Sequence, residues 1–317
     1  MRLTRIDNLD LNLFDSDYDL TFSVFFLDAD GKVYGRYGGR DASSPDSRQS
    51  LAGLHSAMES VLAMHERQEK EYAPRQEGSR FVRDLPPVRT RGCMHCHNVK
   101  EAVNADLHRS GKWERDSVYR FPLPENVGLT LDIDHSHVVK AVRDGSPAAA
   151  LGLRPGDEVR RVNGVPVHSF ADVQFGLDRA PKQGKIDVAW QRGNKALQGE
   201  LTLPEGWKKG DISWRPSLIN MVPDPRLYGL ELTADEKKAL GLDPKLLAFR
   251  QRTSVPKQAA DAGVKAGDVV LGFDGQRLPM DVDGFQRHVR RNWLVGDRVT
   301  VDVLRDGERL ALTMTLR

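Results

Sequence analysis

Residues 22–27, Phe22-Ser23-Val24-Phe25-Phe26-Leu27, are almost continuously apolar, as expected of a strand covered on both faces. Ala29-Asp30-Gly31-Lys32 is an Asp-Gly turn signal, and Val33-Tyr34-Gly35-Arg36-Tyr37 returns as a second strand. Leu51, Leu54, Met58, Val61, Leu62 and His65 then follow the helical period, with Asp46 or Ser47 as the expected cap. A doubly covered strand needs neighbours on both sides, so residues 1–66 look like part of a domain. Residues 67–92 are rich in Arg, Glu, Gln and Pro and read as a polar linker ending at Pro86-Pro87. Residues 97–110 place Val99, Val103 and Leu107 on one helical face, and Gly111 stops that helix.

The C-terminal two-thirds repeats itself. Gly152-Leu153-Arg154-Pro155-Gly156-Asp157-Glu158-Val159, followed by Val162-Asn163-Gly164, recurs as Gly263-Val264-Lys265-Ala266-Gly267-Asp268-Val269-Val270, followed by Phe273-Asp274-Gly275. Apolar residues mark strands and glycines mark turns at the same spacing in both copies. Each copy continues into a helix, near 169–179 and 282–292, and then into two strands, 186–190 with 196–203 and 299–304 with 309–316.

The repeat resembles two PDZ domains of the bacterial type. That resemblance implies an α+β fold in which an extended peptide or protein C-terminus adds as a strand between a glycine-bearing loop and a helix. The loops that match are Val127, Gly128 and Leu129 in the first copy and Tyr228, Gly229 and Leu230 in the second. The competing reading is that one or both grooves are filled internally and serve to pack domains.

Composition narrows the partners. In 317 residues, 47 basic side chains stand against 45 acidic ones, for a net charge of +2, which argues against nucleic acid. Hydrophobic content of 39% with 29% charge suits a chain of two or three cored domains, and no apolar run approaches a membrane span. The opening residues show no signal peptide.

Both cysteines lie in one run, Cys93-Met94-His95-Cys96-His97. C-x-x-C-H reads as an attachment site for haem c, with Cys93 and Cys96 adding to the vinyl groups and His97 as the iron-binding histidine. A redox dithiol is an alternative, as is a zinc site completed by His95, His97 or His108. Asp132, Asp134, His135 and His137 form a weaker cluster, read as a solvated loop. Trp207 and Trp214 are expected to wedge the two repeats together, and Met221 is a conceivable distal haem ligand. No Gly-x-Ser-x-Gly elbow or Gly-Lys-Ser/Thr phosphate loop is present.

Residues 18–33 and 46–66 resemble the C-terminal half of a thioredoxin-like fold. The position of its cis-proline falls on Leu20, and the strand and helix that carry its redox cysteines have no counterpart before residue 18. No catalytic residue carries over. The whole resembles a bacterial family of thioredoxin-like, PDZ-containing proteins, some of them selenoproteins, which implies a true start upstream and export to the periplasm. The expected organisation is a partial thioredoxin-like domain at 1–66, a linker at 67–92, a C-x-x-C-H segment at 93–120, PDZ domains at 121–204 and 227–317, and a linker at 205–226. The expected function is peptide binding coupled to haem electron transfer with a redox partner. A thiol or selenol disulfide oxidoreductase and a non-catalytic PDZ scaffold are the alternatives.

Overall fold

The computed structural model describes residues 6–86 and 95–317. They form two compact units, one running to Gly210 and taking in Trp214–Ser217, the other comprising Asp211–Ser213 and Leu218–Arg317.

The first unit opens with an antiparallel hairpin of β1 (Ser23–Leu27) and β2 (Val33–Gly38). Asp28 sets the turn, its Oδ1 accepting from the N–H groups of Asp30 and Lys32 at 2.9 and 2.8 Å. The helix that follows, α1 (Leu51–Glu66), starts later than the sequence suggests, because Ser50 is its cap and accepts from Gly53 N at 2.9 Å. Ser47 instead accepts from Asp41 N, holding the approach to the helix as a turn.

Residues 67–86 run back along the unit rather than hanging free. Ala73 N donates to Val33 O, and Leu9 and Val82 are joined through their backbones. Val82 and Leu85 share a core cluster with Leu11 and with Val99 and Ala102 of α2 (Cys96–Arg109).

The first repeat follows: β3 (Leu129–Leu131), β4 (Val139–Val142), α3 (Pro147–Leu151), β5 (Glu158–Val162), β6 (Val165–Pro166), α4 (Phe170–Asp178), β7 (Gly184–Arg192) and β8 (Lys195–Leu203). β3 and β4 pair as one sheet, and β6-β5-β7-β8 form another. Val127, Leu129, Val159, Phe170, Trp190 and Trp207 belong to the core between them.

The second unit is built of β9 (Gly229–Glu231), α5 (Ala234–Ala239), β10 (Phe249–Gln251), α6 (Lys257–Asp261), β11 (Val269–Phe273), α7 (Val282–Asn292), β12 (Arg298–Arg305) and β13 (Glu308–Thr315). Here the strands join in one sheet, β13-β12-β11-β10-β9. Its core is centred on Phe249, Phe273, Phe285 and Val289.

The aspartate of the repeated Gly-Asp pair has the same task in both copies. Asp157 receives Arg192 through both carboxylate oxygens at 2.7 Å, and Asp268 receives Arg305 in the same way. Each arginine also donates to the glycine carbonyl that opens its repeat, Gly152 or Gly263, at 2.7 Å. A two-pronged guanidinium thus staples the last hairpin to the turn before the central strand.

Two expectations need correction here. The hairpin and α1 do not make a thioredoxin-like half-domain: β1 pairs with β2 alone among the described residues, and β2 packs on α4 of the first repeat. The tryptophans, expected between the repeats, take partners within the first unit. Trp207 donates to Pro181 O at 2.9 Å from within the first core, and the Trp214 ring receives Arg40 and Arg215, all inside the first unit.

Candidate peptide-binding grooves

In the first repeat, a short 3-10 turn over Pro124–Val127 ends at Gly128, with φ +83°. A Cβ there would stand 2.2 Å from Ser146, so glycine is required by space as well as by backbone. Val127 and Leu129 are both buried in the core.

The helix beyond, α4, is capped by Ser169 and is buried at all nine positions. The domain core accounts for Phe170, Val173 and Leu177. The rest is covered by the N-terminal segment and the chain just before the loop. Asp172 accepts from Arg36 N at 2.8 Å and from His168 N at 3.1 Å, while the Ser169 hydroxyl donates to Arg36 O. The Arg36 guanidinium lies 3.6 Å from the centre of the Phe175 ring. Gln174 donates to Phe121 O, and Asp178 takes Arg120 and Phe121 N.

Across the mouth, Arg48 pairs with Glu125 at 2.8 Å and overlies Phe170, and Ser50 donates to Asp134 at 2.7 Å. A Cβ on Gly39 would stand 2.6 Å from the Phe170 ring. The first groove helix is enclosed by its own chain.

Burial leaves its mark on the ionisable groups there. Desolvation pushes Asp172 up to about 7 against the pull of Arg36 and three backbone donors. It pushes His168 down to about 4 and Lys100 down to about 8. His168 Nε2 is buried without a hydrogen-bond partner, which fits a neutral ring. Nearby Arg215 holds Asp17 at 2.7 Å, and Ser217 holds Asp19.

The second repeat is arranged differently. β9 lies at the end of its sheet and pairs with β10 alone among the described residues. Arg252 N donates to Tyr228 O and Leu232 N to Ala248 O. By antiparallel alternation, Gly229 and Glu231 therefore turn their backbone groups to the open side. Leu230 is 72% exposed.

The companion helix α7 is capped by Asp281 and buries Phe285 and Val289 of its eleven residues. Gln286 ties it to the loop, donating to Leu227 O at 3.0 Å. Tyr228 is fixed from both ends, its N–H to Gln251 and its hydroxyl to Asp224. An open strand edge, an exposed leucine and a helix beside it are what an added strand needs.

Two PDZ-domain models match, over residues 138–192 and 242–316. The chain carries two PDZ domains. Curated relatives include the periplasmic pH-dependent serine endoprotease DegQ of Escherichia coli, 28% identical over 150 residues, covering 47% of this chain and 30% of the relative. The probable periplasmic serine endoprotease DegP-like protein of Pseudomonas savastanoi is 33% identical over 200 residues, covering 61% and 40%. The chain thus spans less than half the length of these relatives. Among solved structures, an HtrA-type protease AlgW with decapeptide matches at 23% identity and a TM-score of 0.27, over 42% of each chain.

These findings overturn the haem reading. The relatives are serine endoproteases, whose chemistry needs no haem. Cys93 lies outside the described residues, and Cys96 opens α2 as an exposed free thiol. His97 is turned to its own helix, Nδ1 2.9 Å from Glu101 and the ring stacked on His95. The dithiol alternative, the electron-transfer partner, Met221 as an iron ligand and the selenoprotein family go with it. Among the described residues no three His, Cys, Asp or Glu side chains gather to hold a metal. In the weaker cluster, Asp132 accepts from the N–H groups of Asp134 and His135.

Sequence reading missed Asp172, Arg36 and Gln286. Asp172 left one trace, a charged residue in the first turn between the apolar Phe170, Ala171 and Val173.

Proposed function

We propose that this chain is a periplasmic, PDZ-based binding protein that takes an extended peptide or protein C-terminus as an added strand on β9. The second domain is the receptor, with Tyr228, Gly229 and Leu230 contacting the bound strand. The first domain serves assembly, and its loop of Val127, Gly128 and Leu129 stays with its own chain. The observation that carries this reading is the contrast between β9, open and bearing an exposed Leu230, and α4, buried throughout. The periplasmic location is supported by the relatives, which are periplasmic endoproteases.

The test is binding to a displayed library of random C-termini, followed by fluorescence anisotropy with the selected peptides. Leu230→Asp should weaken the selected peptides at least about tenfold, since it puts a charge beside an apolar added strand. Selected peptides that bind Leu230→Asp as well as the parent would sink the assignment.

A further inference from the structure

The outer edge of β1 has no strand against it among the described residues, although both faces of the hairpin are covered. On one face Ser23, Phe25 and Leu27, alternate residues of the strand, border a cleft of about 660 Å³ that Leu9, Phe14 and Leu20 also line, Phe14 edge-on to Phe25. On the other face Phe26 and Tyr34 pack on Val61 and Met64 of α1. The layers therefore continue beyond the last strand.

The faces of α1 show how far. Gly53 and Ser60 turn toward the first PDZ domain, Gly53 against Ile133 O and Ser60 against His168. Val61 and Met64 lie over the hairpin. At 100° per residue, Leu51, Met58 and Leu62 come next round the helix, and they are 87%, 51% and 56% exposed. Across the sheet the order is α4, β2, β1 and then the unpaired edge. The faces of α1 follow the same order, so the exposed stripe overhangs the position of one more strand.

That position calls for a strand apolar toward α1 and largely apolar toward the cleft, where Ser16, Thr21 and Ser23 stand among the apolar groups. β1 is itself such a strand. Neither β1 nor the stripe carries a charged side chain, and Asp17 in the cleft is already matched by Arg215. Antiparallel approach of two identical edges thus sets apolar groups on apolar groups and opposes no like charges. A two-fold axis normal to the sheet puts both α1 helices on one face, where their stripes meet. A face as long as α1, about 24 Å, and three layers deep at about 10 Å each is of the order that a specific dimer uses, about 800 Å² per partner.

The geometry points to an isologous homodimer in which β1 pairs antiparallel with β1 of a second copy, and Leu51, Met58 and Leu62 pack on their counterparts. The result is one continuous sheet of four strands, β2-β1-β1-β2.

Light scattering over about 1 to 100 μM full-length chain should give twice the chain mass. The double variant Met58→Glu/Leu62→Glu should be monomeric with unchanged circular dichroism, because both side chains are exposed in the protomer. In a Cys93→Ser/Cys96→Ser background, Met58→Cys should cross-link between chains with a short bismaleimide. A monomer throughout the range overturns the proposal, as does a dimer that survives the double glutamate variant. So does failure of Met58→Cys to cross-link in a dimer.

Discussion

Asp172 and His168 stand one helical turn apart, enclosed by the same hairpin, and burial moves them in opposite directions. The carboxyl of Asp172 is raised to about 7 in the folded chain against about 3.9 unfolded. From about pH 4 to 7 the native state holds a proton that the unfolded state has lost, so this group makes stability fall as pH rises. His168 is lowered to about 4 against about 6.5 unfolded. Over about pH 6.5 down to 4 the unfolded chain gains a proton that the native ring refuses, so stability is lost as pH falls. The two slopes offset each other in the parent between about pH 4 and 6.5. Asp172→Asn should unmask the histidine: urea unfolding of the first unit would then show stability climbing with pH more steeply than in the parent across that interval. A variant with the parent's slope would refute the assignment.

The Arg–Asp staples make a prediction with a size attached. Asp268 is almost wholly buried and Arg305 mostly so. Removing the arginine leaves the Asp268 carboxylate buried with only the Lys265 N–H to match it, at a cost toward the lower end of about 3–5 kcal/mol. Arg305→Ala should lower the unfolding free energy of the second unit, read from its urea transition, by that amount and leave the first unit's transition in place. Arg192→Ala does the same to the first unit, by less, because that arginine is one-third exposed. The repeated Gly-Asp was plain in the sequence, but its partner was not. Arg192 and Arg305 lie 35 and 37 residues downstream, and only the register of the last hairpin brings each back to its aspartate.

At the scale of elements, the two groove helices share a place in the repeat and differ in surroundings. Hydrogen exchange should separate them: backbone amides of α4 slow over its length, those of α7 slow mainly near Phe285 and Val289. Binding of a selected peptide should add protection to β9 and α7 and leave β3 and α4 unchanged. Protection gained at α4 would mean that the first groove opens after all. Periodicity revealed both helices, since 169–179 and 282–292 each follow the repeat. It could not reveal that one is enclosed, because the groups that enclose α4 are backbone atoms of Arg36 and Phe121, the guanidinium groups of Arg36, Arg48 and Arg120, and the bare backbone of Gly35 and Gly39, which leave no hydrophobic signature. The apolar run 22–27 was legible as a strand, and its coverage by α1 on one face and residues 9–20 on the other agrees with that pattern. The C-x-x-C-H run misled because a five-residue motif carries no information about what surrounds it. His97 is two residues into a helix, with a glutamate one turn on ready to take its nitrogen.

At the scale of the whole molecule, two copies of one domain have been put to different ends. In the first, Arg36 gives its N–H to Asp172 and its C=O to Ser169, as a neighbouring strand would in a sheet, though it gives them to side chains. That contact ties the fate of the copy to a segment more than a hundred residues away in sequence. A graft of the second domain, 218–317, onto an unrelated carrier should keep its fold. A graft of 121–210 should arrive with an apolar helix laid bare and bind a hydrophobic dye. Drift is constrained in the same uneven way: a side chain gained at Gly35 or Gly39 must be answered by a change in α4, whereas the free rim of the second domain can vary position by position. One duplicate has given up its independence, and the other has kept the liberty to acquire new tastes.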